Sequence, residues 1–242
     1  MLGLRQLMND SVTKSQVVNF SVANQVRRRV LHSRDRFWRA DDFTGSRAAV
    51  LRELSRLAED GKLRHVRRGL YWRGTETMLG MSGPSSVQLV QELVGRDGVG
   101  PAEWSAALAL GLSTQHPRHD TIAVPTRPPA LIEGRIVLKD RRGREGRAQQ
   151  KLNWHEVALL EVLSDWPRLI EMPREEAVNQ LVGLLRSDKV RPLKLARAAK
   201  DEPAVVREGL RGLMSTSGMR QEAERIPPAH TERVRQHAFV MA

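Results

Sequence analysis

The chain has 242 residues, 28% of them charged and 40% apolar, with no cysteine and a formal net charge of +12. These values point to a globular protein of one large or two modest domains, and they exclude disulfides and thiolate metal sites. No run approaches the ~18 apolar residues of a membrane helix, and the start, MLGLRQLMNDSVTKSQ, lacks the basic-then-apolar order of a signal peptide, so the expectation is a cytoplasmic protein with no membrane partner.

The charge is unevenly placed. Residues 1–75 hold 16 Lys and Arg against 7 Asp and Glu, whereas residues 76–242 hold 24 against 21. A basic first third on a nearly balanced remainder suggests a polyanion-binding module joined to something else. Arginine supplies 33 of the 40 cations. A general arginine bias would raise the charge everywhere, and the second part stays near neutral.

In chain order, residues 1–14 read as a loose leader. Residues 15–33 carry Val18, Val22, Val26 and Val30 at four-residue spacing and predict an amphipathic helix. Phe37, Trp38, Ala40 and Phe43 suit a brief extended piece and a short second helix. After the turn at 44–46, where Thr44 or Ser46 can cap, comes the clearest helix. Its apolar stripe is Val50, Leu51, Leu54, Leu57 and Ala58, with Arg47, Arg52, Arg56 and Glu59 facing away. Gly61 is placed to stop it in the left-handed conformation. The stretch GKLRHVRRGLYWRG, residues 61–74, then predicts a hairpin turning at Arg68-Gly69, with a bulge where its alternation fails. A Gly/Ser/Thr-rich stretch follows as linker.

The second part begins with helices at 86–98 and 101–112, the latter with Pro101 in its first turn. DTIAVPT and GRIVLKD read as strands. Four further helices follow: NWHEVALLEVLSDW, REEAVNQLVGLLRS, RPLKLARAAKD and AVVREGLRGLMS. Residues 217–242, with Pro-Pro and scattered charge, are expected to be poorly ordered or draped over the surface.

Helix, short helix, turn, helix and basic hairpin is the order of a winged helix-turn-helix. The third helix would bury its Leu/Val stripe and leave its N-terminal turn and arginine face for a major groove. The hairpin would be the wing, with Arg64, Arg67 and Arg68 reaching the phosphate backbone or the adjacent minor groove. Winged helices also serve as protein–protein modules, but a basic helix next to a basic wing favours DNA.

At these residues the chain resembles a known family. FWRADDFTGSRAAVLRELSRLAEDGKLRHVRRGLYWRG is similar to the N-terminal domain of the AbiEi-type antitoxins of type IV toxin–antitoxin systems. EWSAALALGLSTQHPRHDTIAVPTR and LKDRRGREGRAQQKLNWHEVALLEVL resemble, more loosely, their C-terminal antitoxin domain, and the likeness covers most of residues 15–216. The resemblance implies an α+β protein: a winged-helix DNA-binding domain over 1–80 and a mixed helix/strand antitoxin domain over 81–242. It implies double-stranded DNA as a partner, at inverted repeats in the operon's own promoter, which the protein represses. It also implies neutralisation of a cognate nucleotidyltransferase-type toxin, which need not require a tight complex. Carried onto this sequence, the DNA-binding candidates are Thr44, Ser46, Arg47, Arg52 and Arg56 on the turn and helix, with Arg64, Arg67 and Arg68 on the wing. No toxin-neutralising residue transfers. The alternative is a stand-alone winged-helix regulator whose second domain senses a ligand.

Other constellations carry less. Residues 135–151, RIVLKDRRGREGRAQQK, hold seven Lys and Arg against two acids: either a second contact with DNA, RNA or toxin, or a solvated hairpin end. His116, His119 and Asp120 lack a further ligand at metal spacing, and Pro117 breaks their alignment, so no metal is expected. WHEVALLE has no second His of the H-E-x-x-H pattern and reads as a core helix with a surface His155. Residues 194–214 resemble a second helix-turn-helix, but two packed helices give the same pattern and are the reading favoured here. No nucleophile elbow, phosphate-cradling glycine loop or carboxylate-and-lysine nuclease set occurs, so neither an enzyme nor a cofactor is expected.

Overall fold

The computed structural model describes residues 21–129 and 136–239. The chain is a mixed helix/strand protein and divides into two compact units, residues 1–84 and 85–242. The leader, Val18 and the first residues of the GRIVLKD stretch lie outside the described residues.

In the first unit, helix α1 (Val22–Leu31) starts at Ser21, whose hydroxyl accepts the Asn24 amide. Strand β1 (Arg36–Trp38) leads into a single 3-10 turn, Ala40–Asp42, which stands where a short second helix is predicted. Helix α2 (Arg47–Glu59) follows. Its inner face, Val50, Leu54 and Leu57, packs on Val26 and Val30 of α1 and on Trp38 and Phe43. Each such side chain contributes on the order of 1.5–3 kcal/mol on burial. Glu53 also lies on that face, with 5% of its surface exposed. It is tolerated because Arg27 of α1 donates to it from Nε at 3.2 Å and Nη2 at 3.0 Å.

The helix ends as its sequence predicts. Gly61 has φ +68°, Gly61 N–H donates to Ala58 at 3.1 Å, and Lys62 N–H donates to Leu57 at 2.8 Å. These two bonds satisfy carbonyls that would otherwise face out of the last turn. Strands β2 (Arg64–Arg67) and β3 (Leu70–Arg73) form the predicted hairpin. β3 lies at the centre of an antiparallel sheet ordered β1-β3-β2. The residues read as a linker contain a second, very short hairpin, β4 (Glu76–Thr77) and β5 (Gly80–Met81), with Met78 and Leu79 fully exposed at its tip.

The second unit begins with α3 (Ser86–Val94), capped by Ser85 and Gln88. β6 (Gly100–Pro101), β7 (Asp120–Val124) and β8 (Ile136–Asp140) form a sheet in that order, antiparallel then parallel. Pro101 is therefore in an edge strand, not in a helical turn; α4 starts at Glu103 and ends at Ala109. An edge position suits proline, which has no amide to give to the ladder. After the short α5 (Gly146–Gln149), α6 (Trp154–Ser164) runs through the middle of the unit, with every residue from Glu156 to Leu163 buried. Around it pack α4, α7 (Trp166–Leu169), α8 (Arg174–Leu185), α9 (Pro192–Ala198) and α10 (Ala204–Thr216). The residues that resemble a second helix-turn-helix, Leu195, Ala196, Ala199, Val206, Leu210 and Leu213, all face this core.

The last segment is not loose. It forms α11 (Arg220–Glu224) and α12 (Glu232–His237) and buries Ile226 and Phe239. Phe239 sits 5.2 Å from the Trp166 ring, and the Trp166 indole donates to the His237 carbonyl at 3.0 Å. The apolar residues that anchor it are few and separated by charge, which hides the docking from a periodicity argument.

Candidate nucleic-acid interface

The predicted contact residues divide into committed and uncommitted side chains. Thr44 is exposed, but its hydroxyl is engaged with Gln25, whose amide donates to it at 3.3 Å. Ser46 is the N-cap residue of α2, yet its hydroxyl makes no capping bond. The expectation that Thr44 or Ser46 caps this helix is therefore corrected. Thr44 is held by α1, and the first-turn amides of α2 are left without a side-chain acceptor at the N-cap.

Arg47 ion-pairs with Asp41, both largely exposed. Arg56 shares Glu53 with Arg27, at 3.6 Å. Arg52, Arg64, Arg67 and Arg68 are exposed and make no side-chain hydrogen bond or ion pair with another described residue. Arg52 lies on the outer face of α2. Arg64 and Arg67 bound β2, and Arg68 lies in the turn, where Gly69 takes φ +75°. A register shift between His65 and Arg67 supplies the bulge that the broken alternation predicts.

The aromatic residues of the hairpin anchor it. The Tyr71 hydroxyl is 3.0 Å from Ser55 Oγ on α2. The Trp72 indole donates to the Ser82 carbonyl at 2.8 Å, and its ring packs on Phe37 at 4.7 Å. Gly74 is required here, because a Cβ would lie 2.1 Å from the Ser82 carbonyl oxygen. The free cations are thus held on a rigid, pinned support.

Other arginines of the first unit serve the fold. Arg29 donates to the Asp42 carbonyl at 2.6 Å and lies 4.9 Å from the Phe43 ring centre. Arg36 lies over Trp38 at 4.2 Å. These cation–π contacts combine a charge with an apolar wall. The charge excess of the first third therefore overstates the cations available to a partner.

The second basic segment is different again. Arg147 is fully buried. It donates from Nε and Nη2 to Glu202 at 2.6 and 2.8 Å, and from Nη1 to Glu161 at 2.7 Å. Arg141 makes a two-pronged contact with Glu161, at 2.9 and 2.7 Å. Arg144 bridges Glu161 and Glu202 at 3.2 and 3.3 Å. At the periphery Lys139 pairs with Glu103, and Arg142 with Asp140. Arg141, Arg144 and Arg147 of the segment therefore form an ion network largely withdrawn from solvent, while Arg142 and Lys151 stay exposed. Burial alone would raise the Glu161 carboxyl; hydrogen bonds and charge from Arg141 and Arg147 outweigh it and hold it down to about 2. Burial and the like charge of Arg147 push the Arg144 guanidinium down.

A second buried glutamate on α6, Glu156, caps that helix and accepts from Arg191 Nε at 2.8 Å. His155 beside it is half-buried, and burial lowers its pKa. His116 and His119 are exposed, and Asp120 accepts from the Ser86 hydroxyl. Among the described residues no three His, Asp or Glu side chains come together in a way that could hold a metal ion. No helix among them is long and apolar enough to cross a membrane.

Compared with models of protein families and with curated proteins, the chain matches none. Among solved structures, the crystal structure of the Rv2827c protein from Mycobacterium tuberculosis is similar at 18% identity, covering 87% of this chain and 80% of that one. Its TM-score is 0.43, and at that level the likeness carries no argument about function.

Proposed function

We propose that the first unit is a winged helix-turn-helix that binds double-stranded DNA, with α2 in the major groove and the β2–β3 hairpin as its wing. The observation that carries this reading is the set of uncommitted cations, Arg52, Arg64, Arg67 and Arg68, beside a helix start whose N-cap hydroxyl leaves the first amides free. Exposed arginines and free helix-terminal amides are both suited to phosphate. Arg47 joins the set by exchanging Asp41 for a phosphate or a base edge. Thr44, Ser46 and Arg56 fall beside it in supporting positions.

We further propose, from the resemblance to AbiEi-type antitoxins, that the protein represses its own operon at inverted repeats. By the same resemblance, its second unit neutralises a nucleotidyltransferase-type toxin encoded beside it. The chain does this by binding and not by catalysis.

The test has two arms. Fluorescence anisotropy with the operon's promoter fragment is expected to give a saturable, salt-sensitive complex. With four to five phosphates neutralised, affinity should fall about 10²- to 10³-fold between 50 and 200 mM salt. Binding without salt dependence would overturn the DNA reading. The second arm co-expresses the chain with the adjacent gene product and scores growth. Rescue that survives loss of Arg52, Arg67 and Arg68 supports a separate antitoxin unit. A harmless neighbour, or no rescue by the unaltered chain, overturns that half and leaves a DNA-binding regulator.

A further inference from the structure

The second unit contains a cleft of about 220 Å³ that the DNA-binding and antitoxin readings do not use. It opens between the start of α3, helix α4 and the first residues of β7. Pro101, Leu108, Ile122 and Trp154 supply apolar walls, and Ser105 and Asp120 add polar groups.

Those two polar groups have spare bonding capacity. The Asp120 carboxylate accepts the Ser86 hydroxyl through one oxygen. Among the described residues it pairs with no cation. Glu103, Glu156 and Glu161 of the same unit are, by contrast, each held by a lysine or arginines. Ser105 Oγ accepts the Thr121 amide at 3.0 Å, and its own proton has no acceptor among the described residues. An apolar slot with, at its edge, a carboxylate that no described cation engages and a spare hydroxyl donor is complementary to an apolar body carrying a cation. A second negative charge placed beside Asp120 is disfavoured.

The size limits the body. The cleft is smaller than the ~300–1,000 Å³ of sites for drug-sized molecules. We propose that it binds small organic amines, a protonated amino group on a single ring or a short branched chain, with the ammonium on Asp120 and the body against Ile122, Leu108 and Trp154. The cleft lies wholly in the second unit, so this proposal stands or falls independently of DNA binding.

The test is calorimetric titration of the full chain with three matched probes: 2-phenylethylamine, the neutral 2-phenylethanol and the anionic 3-phenylpropionate. The amine is expected to bind saturably, the alcohol roughly tenfold more weakly, and the acid not at all. Asp120→Asn is an exposed change that should fold normally. It should reduce amine affinity to that of the alcohol and leave the alcohol unchanged. Leu108→Trp, which fills the slot, should remove both. No saturable amine binding up to about 10 mM overturns the proposal. So does equal affinity for all three probes, or amine affinity unmoved in the Asp120→Asn chain. If Leu108→Trp does not fold, the Asp120→Asn comparison decides alone.

Discussion

Residues 61–74 and residues 135–151 look alike as strings: five Lys and Arg with no acid in the first, seven with two acids in the second. In the folded chain they are opposites. The first presents Arg64, Arg67 and Arg68 on a hairpin pinned by Tyr71 and Trp72, while Lys62 and Arg73 share Glu76. The second turns Arg141, Arg144 and Arg147 inward onto Glu161 and Glu202. The deciding groups lie outside the segment, 14 and 55 residues beyond Arg147. A count of local charge therefore does not measure the charge a partner can meet. A cation near buried carboxylates is taken up by them, because an unpaired buried charge costs several kcal/mol.

That contrast can be broken or sharpened experimentally. The largest effect is expected from Arg147→Met, which leaves buried Glu202 with only its longer contact to Arg144 and takes one of three partners from Glu161. It should cost about 3–5 kcal/mol in urea denaturation. DNA affinity of the chain that remains folded should be unchanged. A loss below about 1 kcal/mol would mean that the network is not buried in solution.

Next comes acid. A Glu161 carboxyl held at about 2, against an ordinary 4.5, binds fewer protons folded than unfolded in the interval between. Its contribution, about 3 kcal/mol, is fully present above the unfolded value of 4.5 and lost as pH falls through about 2. Stability measured from pH 5 to pH 2 should fall steeply in the unaltered chain and more shallowly in Glu161→Gln.

The hairpin unit should respond in the other direction, in binding and not in stability. Arg52→Ala should weaken promoter binding by about 1–3 kcal/mol if it reads a base edge. Stability should shift by less than about 0.5 kcal/mol, because nothing in the fold depends on that side chain. Arg67→Ala with Arg68→Ala should weaken all DNA sequences alike and flatten the salt slope by about 2. If the Arg147 change altered the salt slope instead, the assignment of the two segments would be reversed.

Much of the first unit is legible in the sequence. The stripe Val50, Leu54 and Leu57 appears because one face of α2 is wet, so the 3.6-residue period survives. Gly61 and Gly69 are legible because a stop and a tight turn both require positive φ. The commitments of the individual cations are not. Arg47 and Arg29 find their partners only when α1, the 3-10 turn and α2 come together. The centre of the second unit is hidden for the opposite reason. Helix α6 reads as a core helix, but it is buried on every side, so it has no polar face to mark a period, and nothing local shows which arginines meet Glu156 and Glu161.

By itself the sequence determined the order of most elements, the hairpin and its turn, and the excess of positive charge in the first third. These follow from local rules: side-chain period, turn chemistry and a count of ionisable groups. Tertiary structure alone decided which charges are spent. It joined Arg147 to Glu202 across 55 residues, closed Phe239 over Trp166, and left Arg52, Arg67 and Arg68 without a partner among the described residues. Those outcomes depend on contacts between segments distant along the chain. The energy of a charge is set by what surrounds it and not by its neighbours in sequence.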